Sequence, residues 1–172
     1  MRKILSSLVC ASALVAASGT ASAGSTSASF QVSATVTKNC TVAANPLAFG
    51  TYTPGGGAVK VSSTLNVNCT KTTPFTVALN AGTTTGDAFT QRLLQNQTAG
   101  DADTLQYNLY TSNTYATVWG DGTGSTGTVT GTGTGIATSV AETVYGQLVD
   151  STANQNVSPG SYTDTITVTV SF

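Results

Sequence analysis

The chain has 172 residues, with six Lys or Arg, seven Asp or Glu and no His. Only 8% of its residues are charged, which leaves no basic patch for nucleic acid or an anionic membrane surface. The lack of histidine removes the usual general base and the commonest metal ligand. Polarity comes instead from Thr, Ser, Asn and Gly, which suit pleated strands and tight turns, in a chain long enough for one domain with a core.

Taken in order, Arg2 and Lys3 head a mostly apolar run from Ile4 to Ser18, which is short for a bilayer span. Ala21-Ser22-Ala23 follows with the small-x-small pattern of a signal peptidase site. Residues 1–23 are therefore expected to be a signal peptide, and the chain to be exported rather than held in a membrane. Cys10 makes a poor lipoprotein site, because bulky Val9 precedes it and the apolar run continues beyond it. Loss of the leader leaves Cys40 and Cys69, and in an oxidising compartment an even pair reads as a disulfide. A metal site at this pair lacks histidine and a third thiol.

The remainder reads as strands. "FQVSATVTKNC" alternates apolar and polar residues from Phe30 to Cys40. It is either the first strand of a complete sheet sandwich or a strand for another molecule, and the pattern alone does not separate the two. Strands are predicted in "TLNVNC", "PFTVALN", "LQYNLYT", "TYATVW" and "ETVYGQLV". The last run, "SYTDTITVTVSF", places Ile166, Val168, Val170 and Phe172 on one face. "DAFTQRLLQN" has helical spacing at Phe89, Arg92 and Leu93, but a strand edge or turn serves equally. Many short strands with Gly-rich connections indicate an all-β sandwich.

Candidate chemistry is sparse. Gly122 to Gly127 satisfies GxGxxG, yet more Gly and Thr follow where a helix would have to begin, so no phosphate cradle is expected. Asp121 is the only carboxylate in that segment, too few for calcium, and Gly120 to Ile136 reads as a mobile hairpin. Asp101 and Asp103 could share a face, although flanking Gly100 and Ala102 suggest an exposed turn. Tyr162 could form a tyrosine corner or an ordinary rim contact. Trp119 reads as packing rather than a sugar platform. The sequons, Asn96-Gln97-Thr98 among them, have meaning only in a glycosylating host. No catalytic, cofactor or metal site emerges, and the chain is not expected to be an enzyme.

An ordered set of fragments carries a resemblance: "CTVAANPLAFGTYTP" from Cys40, "LNVNC", Arg92-Leu93, "LQYNLY", Trp119-Gly120, "TVYGQL" and "SPGSYTDTITVTVSF". Together they resemble the spore coat protein U domain, a family that includes subunits of archaic chaperone–usher pili of the Csu type. The resemblance implies an immunoglobulin-like β-sandwich that is incomplete, first completed by a periplasmic chaperone and then, at an outer-membrane usher, by the N-terminal strand of the next subunit. It implies that residues 24–38 are the donor segment, with Phe30, Val32, Ala34 and Val36 entering pockets, and that residues 39–172 form the domain. It implies that Ile166, Val168, Val170 and Phe172 wall the acceptor groove. Its partners would be identical or related subunits, the chaperone and the usher, on a surface fimbrium that supports attachment and biofilm formation. The other reading is a secreted coat or matrix protein whose sandwich is complete by itself.

Overall fold

A computed structural model describes residues 22–172; all but the last two residues of the expected signal peptide lie outside the described residues. The chain divides into two units, Met1–Thr35 and Val36–Phe172. Residues 22–35 of the first carry no regular secondary structure, and neither do residues 36–39 of the second.

The second unit folds into nine strands and one short helix: β1 (Cys40–Ala44), β2 (Val59–Cys69), β3 (Pro74–Leu79), β4 (Arg92–Asn96), β5 (Thr104–Tyr110), β6 (Val129–Thr132), β7 (Val140–Leu148), α1 (Thr152–Gln155), β8 (Tyr162–Thr163) and β9 (Val168–Ser171). One sheet has the order β1-β2-β7-β5-β4-β8 and the other β6-β3-β9. Every pair of named strands is antiparallel. This is the all-β sandwich expected from the strand pattern, with the immunoglobulin-like form that the resemblance implies.

Period-two alternation builds the core. Leu65, Val67 and Cys69 of β2 face Phe75, Val77 and Leu79 of β3, and all six are buried. Each such side chain contributes about 1.5–3 kcal/mol on leaving water. β5 and β7 add Leu105, Tyr107, Leu109, Val144 and Leu148 to the same cluster. Cys40 and Cys69 stand directly opposite each other in the β1–β2 ladder and are joined by a disulfide. Gly146 in β7 leaves room for Leu47, whose Cδ2 lies 2.9 Å from where a Cβ would stand. The connection after β1 thereby packs onto the first sheet.

Several expected elements differ. "DAFTQRLLQN" contains no helix; Arg92 onward is strand β4, because the Arg92 side chain is drawn inward. "TYATVW" contains no strand, only isolated bridges at Val118 and Trp119. Tyr115 has φ 56°, which breaks the extended run, and the Trp119 indole is wholly buried, donating to the Val77 carbonyl at 3.0 Å. The Gly-rich segment is no free hairpin: β6 pairs with β3, and Gly131 is required because Phe75 Cζ would lie 2.4 Å from its Cβ. The last run is also divided. β8 belongs to the first sheet and β9 to the second, so residues 164–167 cross between them.

Candidate functional site

The two sheets do not close equally. The inward residues of β3 are at most 2% exposed. In the C-terminal run the same parity, Tyr162, Asp164, Ile166, Val168 and Val170, is only half-buried. Among the described residues, β9 pairs with β3 on one side and with no strand on the other. β1 is likewise the edge of the first sheet, and four of its five residues are exposed, Val42 among them.

Beside the free edge of β9 an open groove of about 370 Å³ runs between residues 44–49 and residues 164–168. Leu65, Leu79, Leu109 and Val144 line it from the core, and Ile166 and Val168 line it from the C-terminal run. Asp164 is the one charged residue in the lining. Its Oδ2 accepts from the Tyr107 hydroxyl at 2.6 Å, and its Oδ1 accepts from the Thr83 backbone N–H at 2.9 Å. None of its hydrogen-bond donors is a lysine or arginine. Burial, then the bond to Asp164, push the Tyr107 hydroxyl far above the usual tyrosine range, so it stays a donor.

Asp87 stands next to Asp164. Oxygens of both carboxylates lie within 2.4 Å of the point where a Cβ on Gly82 would stand. Asp87 Oδ1 accepts from the Leu93 N–H at 2.6 Å, while its Oδ2 is buried without a hydrogen-bond partner. Desolvation raises the Asp87 carboxyl above its ordinary value, and the charge of Asp164 adds to the rise. Arg92, wholly buried, donates to neutral oxygens: Asn80 O at 2.6 Å, Trp119 O at 2.8 Å and Asn108 Oδ1 at 2.6 Å. Asp164 in the groove lining therefore has a second carboxylate beside it, while the hydrogen bonds of Arg92 go to neutral oxygens.

The remaining candidates prove architectural. Asp101 and Asp103 hold a turn, accepting from Asn96 Nδ2 at 2.9 Å and from the Ser158 N–H at 2.6 Å. Asn96 is buried, so its sequon offers no accessible amide. The Tyr162 hydroxyl donates to the Ser158 carbonyl at 2.6 Å, the backbone bond of a tyrosine corner. Asp121 accepts from Thr123 and closes a turn of its own. Among the described residues, no cluster of three or more His, Cys, Asp or Glu could hold a metal ion. No helix among them is long and apolar enough to cross a membrane.

Of the expected groove wall, Ile166, Val168 and Val170 pack against the core from the open side. Phe172 does not join them and is 53% exposed. In the N-terminal segment, Phe30, Val32 and Val36 are 88%, 83% and 86% exposed, and Ala34 is exposed with them. Sequence reasoning missed Asp164 as a groove residue, although it shares the even-numbered parity of Ile166 and Val168. It also missed α1, whose Ser151 cap accepts from the Asn154 N–H at 3.2 Å.

The model of the Spore Coat Protein U domain matches residues 26–169. A chain in the crystal structure of the CsuC–CsuE chaperone–tip adhesion subunit pre-assembly complex, from archaic chaperone–usher Csu pili of Acinetobacter baumannii, is similar in fold. Its TM-score is 0.55 at 22% identity, over 80% of this chain and 41% of that one. The chain thus spans under half the length of that neighbour. Comparison with curated proteins finds no match.

Proposed function

The chain belongs to the Spore Coat Protein U domain family, and we propose that it is a structural subunit of an archaic chaperone–usher pilus, polymerising by donation of its N-terminal strand. It is a structural protein, as its family is, and not an enzyme. In this reading residues 24–38 follow a cleaved leader, and residues 39–172 are the acceptor domain. Phe30, Val32, Ala34 and Val36 of one copy lie along the free edge of β9 in the next, and Ile166, Val168 and Val170 are covered by them. A periplasmic chaperone occupies that edge first and an outer-membrane usher exchanges it. The assembled surface fibre supports attachment and biofilm formation.

The observation that carries the reading is the half-open second sheet. Its last strand presents half-buried apolar residues at an unpaired edge, while the chain also holds an alternating segment whose apolar residues are exposed. Strand addition satisfies both: ladder hydrogen bonds give generic affinity, and alternate side chains entering the groove give selectivity. Burying Phe30, Val32 and Val36 is worth roughly 5–9 kcal/mol as an upper bound. Without a partner such an edge is an aggregation hazard, which accounts for a chaperone.

The test is Val32→Arg, which spoils the donor and spares the acceptor. Polymers seen by electron microscopy or as ladders of unheated sample on a gel should disappear, while complexes of subunit with chaperone persist. A full-length exported chain that is a stable monomer at high concentration, and that unfolds when residues 24–37 are removed, would overturn the assignment.

A further inference from the structure

We propose that Lys38 of the donating copy pairs with Asp164 of the accepting copy, and that this ion pair sets the register of the donated strand. The inference rests on the strand-donation reading above and adds to it a direction, an alignment and a charged contact.

Direction follows from the sheets. All named strand pairs are antiparallel, so a strand that extends the second sheet beyond β9 in the same manner runs antiparallel to β9. Side-chain parity then restricts the alignment, since a slip of one residue turns the apolar face to solvent. Slips of two remain open, and parity does not separate them.

Charge does. Lys38 has the parity of Phe30, Val32, Ala34 and Val36, so it faces the groove whenever they do. On the accepting side, the inward residues read Val170, Val168, Ile166, Asp164 from β9 back towards β8, three apolar residues and then an acid. Setting Lys38 opposite Asp164 puts Val36 on Ile166, Ala34 on Val168, Val32 on Val170 and Phe30 on Phe172. Apolar meets apolar throughout, and the small Ala34 meets a side chain already packed on the core. The two exposed phenylalanines, Phe30 at 88% and Phe172 at 53%, become a cross-strand aromatic pair. A slip of two one way sets Val36 on Asp164; the opposite slip sets the Lys38 ammonium on Ile166. Either leaves a charge against an apolar side chain in a closing groove, which is costly.

The groove end is short of positive charge in a way that suits this contact. Asp164 and Asp87 lie side by side, and the guanidinium of Arg92 is spent on carbonyl and amide oxygens. A lysine can lay its methylene stem along Ile166 and Tyr162 while its ammonium reaches the carboxylate. Asp164 lies in the crossing that precedes β9, so the pair sits just beyond the end of the ladder, where opposite charges fix alignment more than they add affinity.

The measurement uses the full chain carrying Val32→Arg as acceptor, so that it cannot donate. Labelled peptides of residues 26–39 are the donors: native, Val32→Arg, Lys38→Met and Lys38→Glu. Native peptide should bind and the Val32→Arg peptide should not. The Lys38→Glu peptide should bind about fivefold more weakly at low salt, with Lys38→Met between. The difference should shrink at high salt and vanish on an acceptor that also carries Asp164→Asn. If the acceptor does not stay soluble, the same Lys38 changes are read as fibre yield from otherwise native chain at low and high salt. Equal binding, or equal fibre yield, for native and Lys38→Glu overturns the register and leaves strand donation standing. Failure of native peptide to bind the soluble acceptor overturns donation itself.

Discussion

β3 and β9 are neighbours in one three-stranded sheet, paired from Thr76↔Ser171 to Leu79↔Val168, yet they stand in opposite conditions. β3 has a strand on each side, and Phe75, Val77 and Leu79 are sealed in the core. β9 has one neighbour, and Val168 and Val170 on the equivalent face keep part of their surface in water. Composition does not explain this, since the inward residues of both strands are apolar: Phe75, Val77 and Leu79 in β3, Val168 and Val170 in β9. What differs is the number of partners. The six-stranded sheet is covered by only three strands, and the shortfall lies beside β9. A face that is apolar but unfinished has room for a further strand, and the proposed donor segment is the strand that would cover it.

The largest loss of stability should come from the disulfide that ties the edge strand β1 to buried β2. Replacing Cys40 and Cys69 by Ala releases a loop of sequence separation 29, worth about 3.6 kcal/mol in the chain-entropy model. Urea unfolding should show this as a lower midpoint. Unchanged stability would mean that the β1–β2 edge is held without the bond. Next come matched truncations on the two strands. Val77→Ala should cost about 2–3 kcal/mol, because the void is surrounded on every side. Val168→Ala should cost less than about 1 kcal/mol in the isolated chain, since water already reaches the site. The gap should narrow when a donor peptide of residues 26–39 is bound, because Val168 is then covered. Equal costs in the free chain would contradict the open edge.

How much of this was legible in the sequence follows the same division. The sealed strands were legible, because Leu65, Val67, Phe75, Val77, Leu105 and Leu109 alternate within runs bounded by turn residues. The break between β8 and β9 was not. Inward parity is kept from Tyr162 through Asp164 to Val170, and the crossing is made by the bonds of Asp164 to Thr83 and Tyr107, distant in sequence. Tyr115 misled for a related reason: "TYATVW" has good strand composition, but a turn places Tyr115 at positive φ and sends Trp119 under β3. Of the candidate site, the apolar halves could be read as alternation at both ends of the domain. Asp164 could not, because an acid on an inward parity looks like a lapse in the pattern until the surrounding groove is seen.

The smallest effect tests the charge imbalance at the groove end. Asp87 is held above its ordinary carboxyl range by desolvation, with Asp164 adding to the shift. A carboxyl raised on folding binds its proton more tightly in the native state, so its protonated form favours the fold. That contribution is whole below the unfolded carboxylate range and is lost as pH rises through the raised native value. Asp87→Asn removes the charge, keeps an oxygen for the Leu93 N–H, and supplies an amide donor facing Asp164. The variant should therefore be more stable than the native chain at neutral pH, by less than about 1 kcal/mol given partial exposure. The advantage should fade as pH falls below the ordinary carboxylate range, where native Asp87 is itself neutral. Thermal unfolding of both chains across that range reads the difference directly. Occupation of the groove by a donor segment bearing Lys38 should shrink the neutral-pH advantage, because the added cation stabilises the ionised pair; a neutral-pH advantage of the same size whether or not the groove is filled would place the imbalance elsewhere than at Asp164.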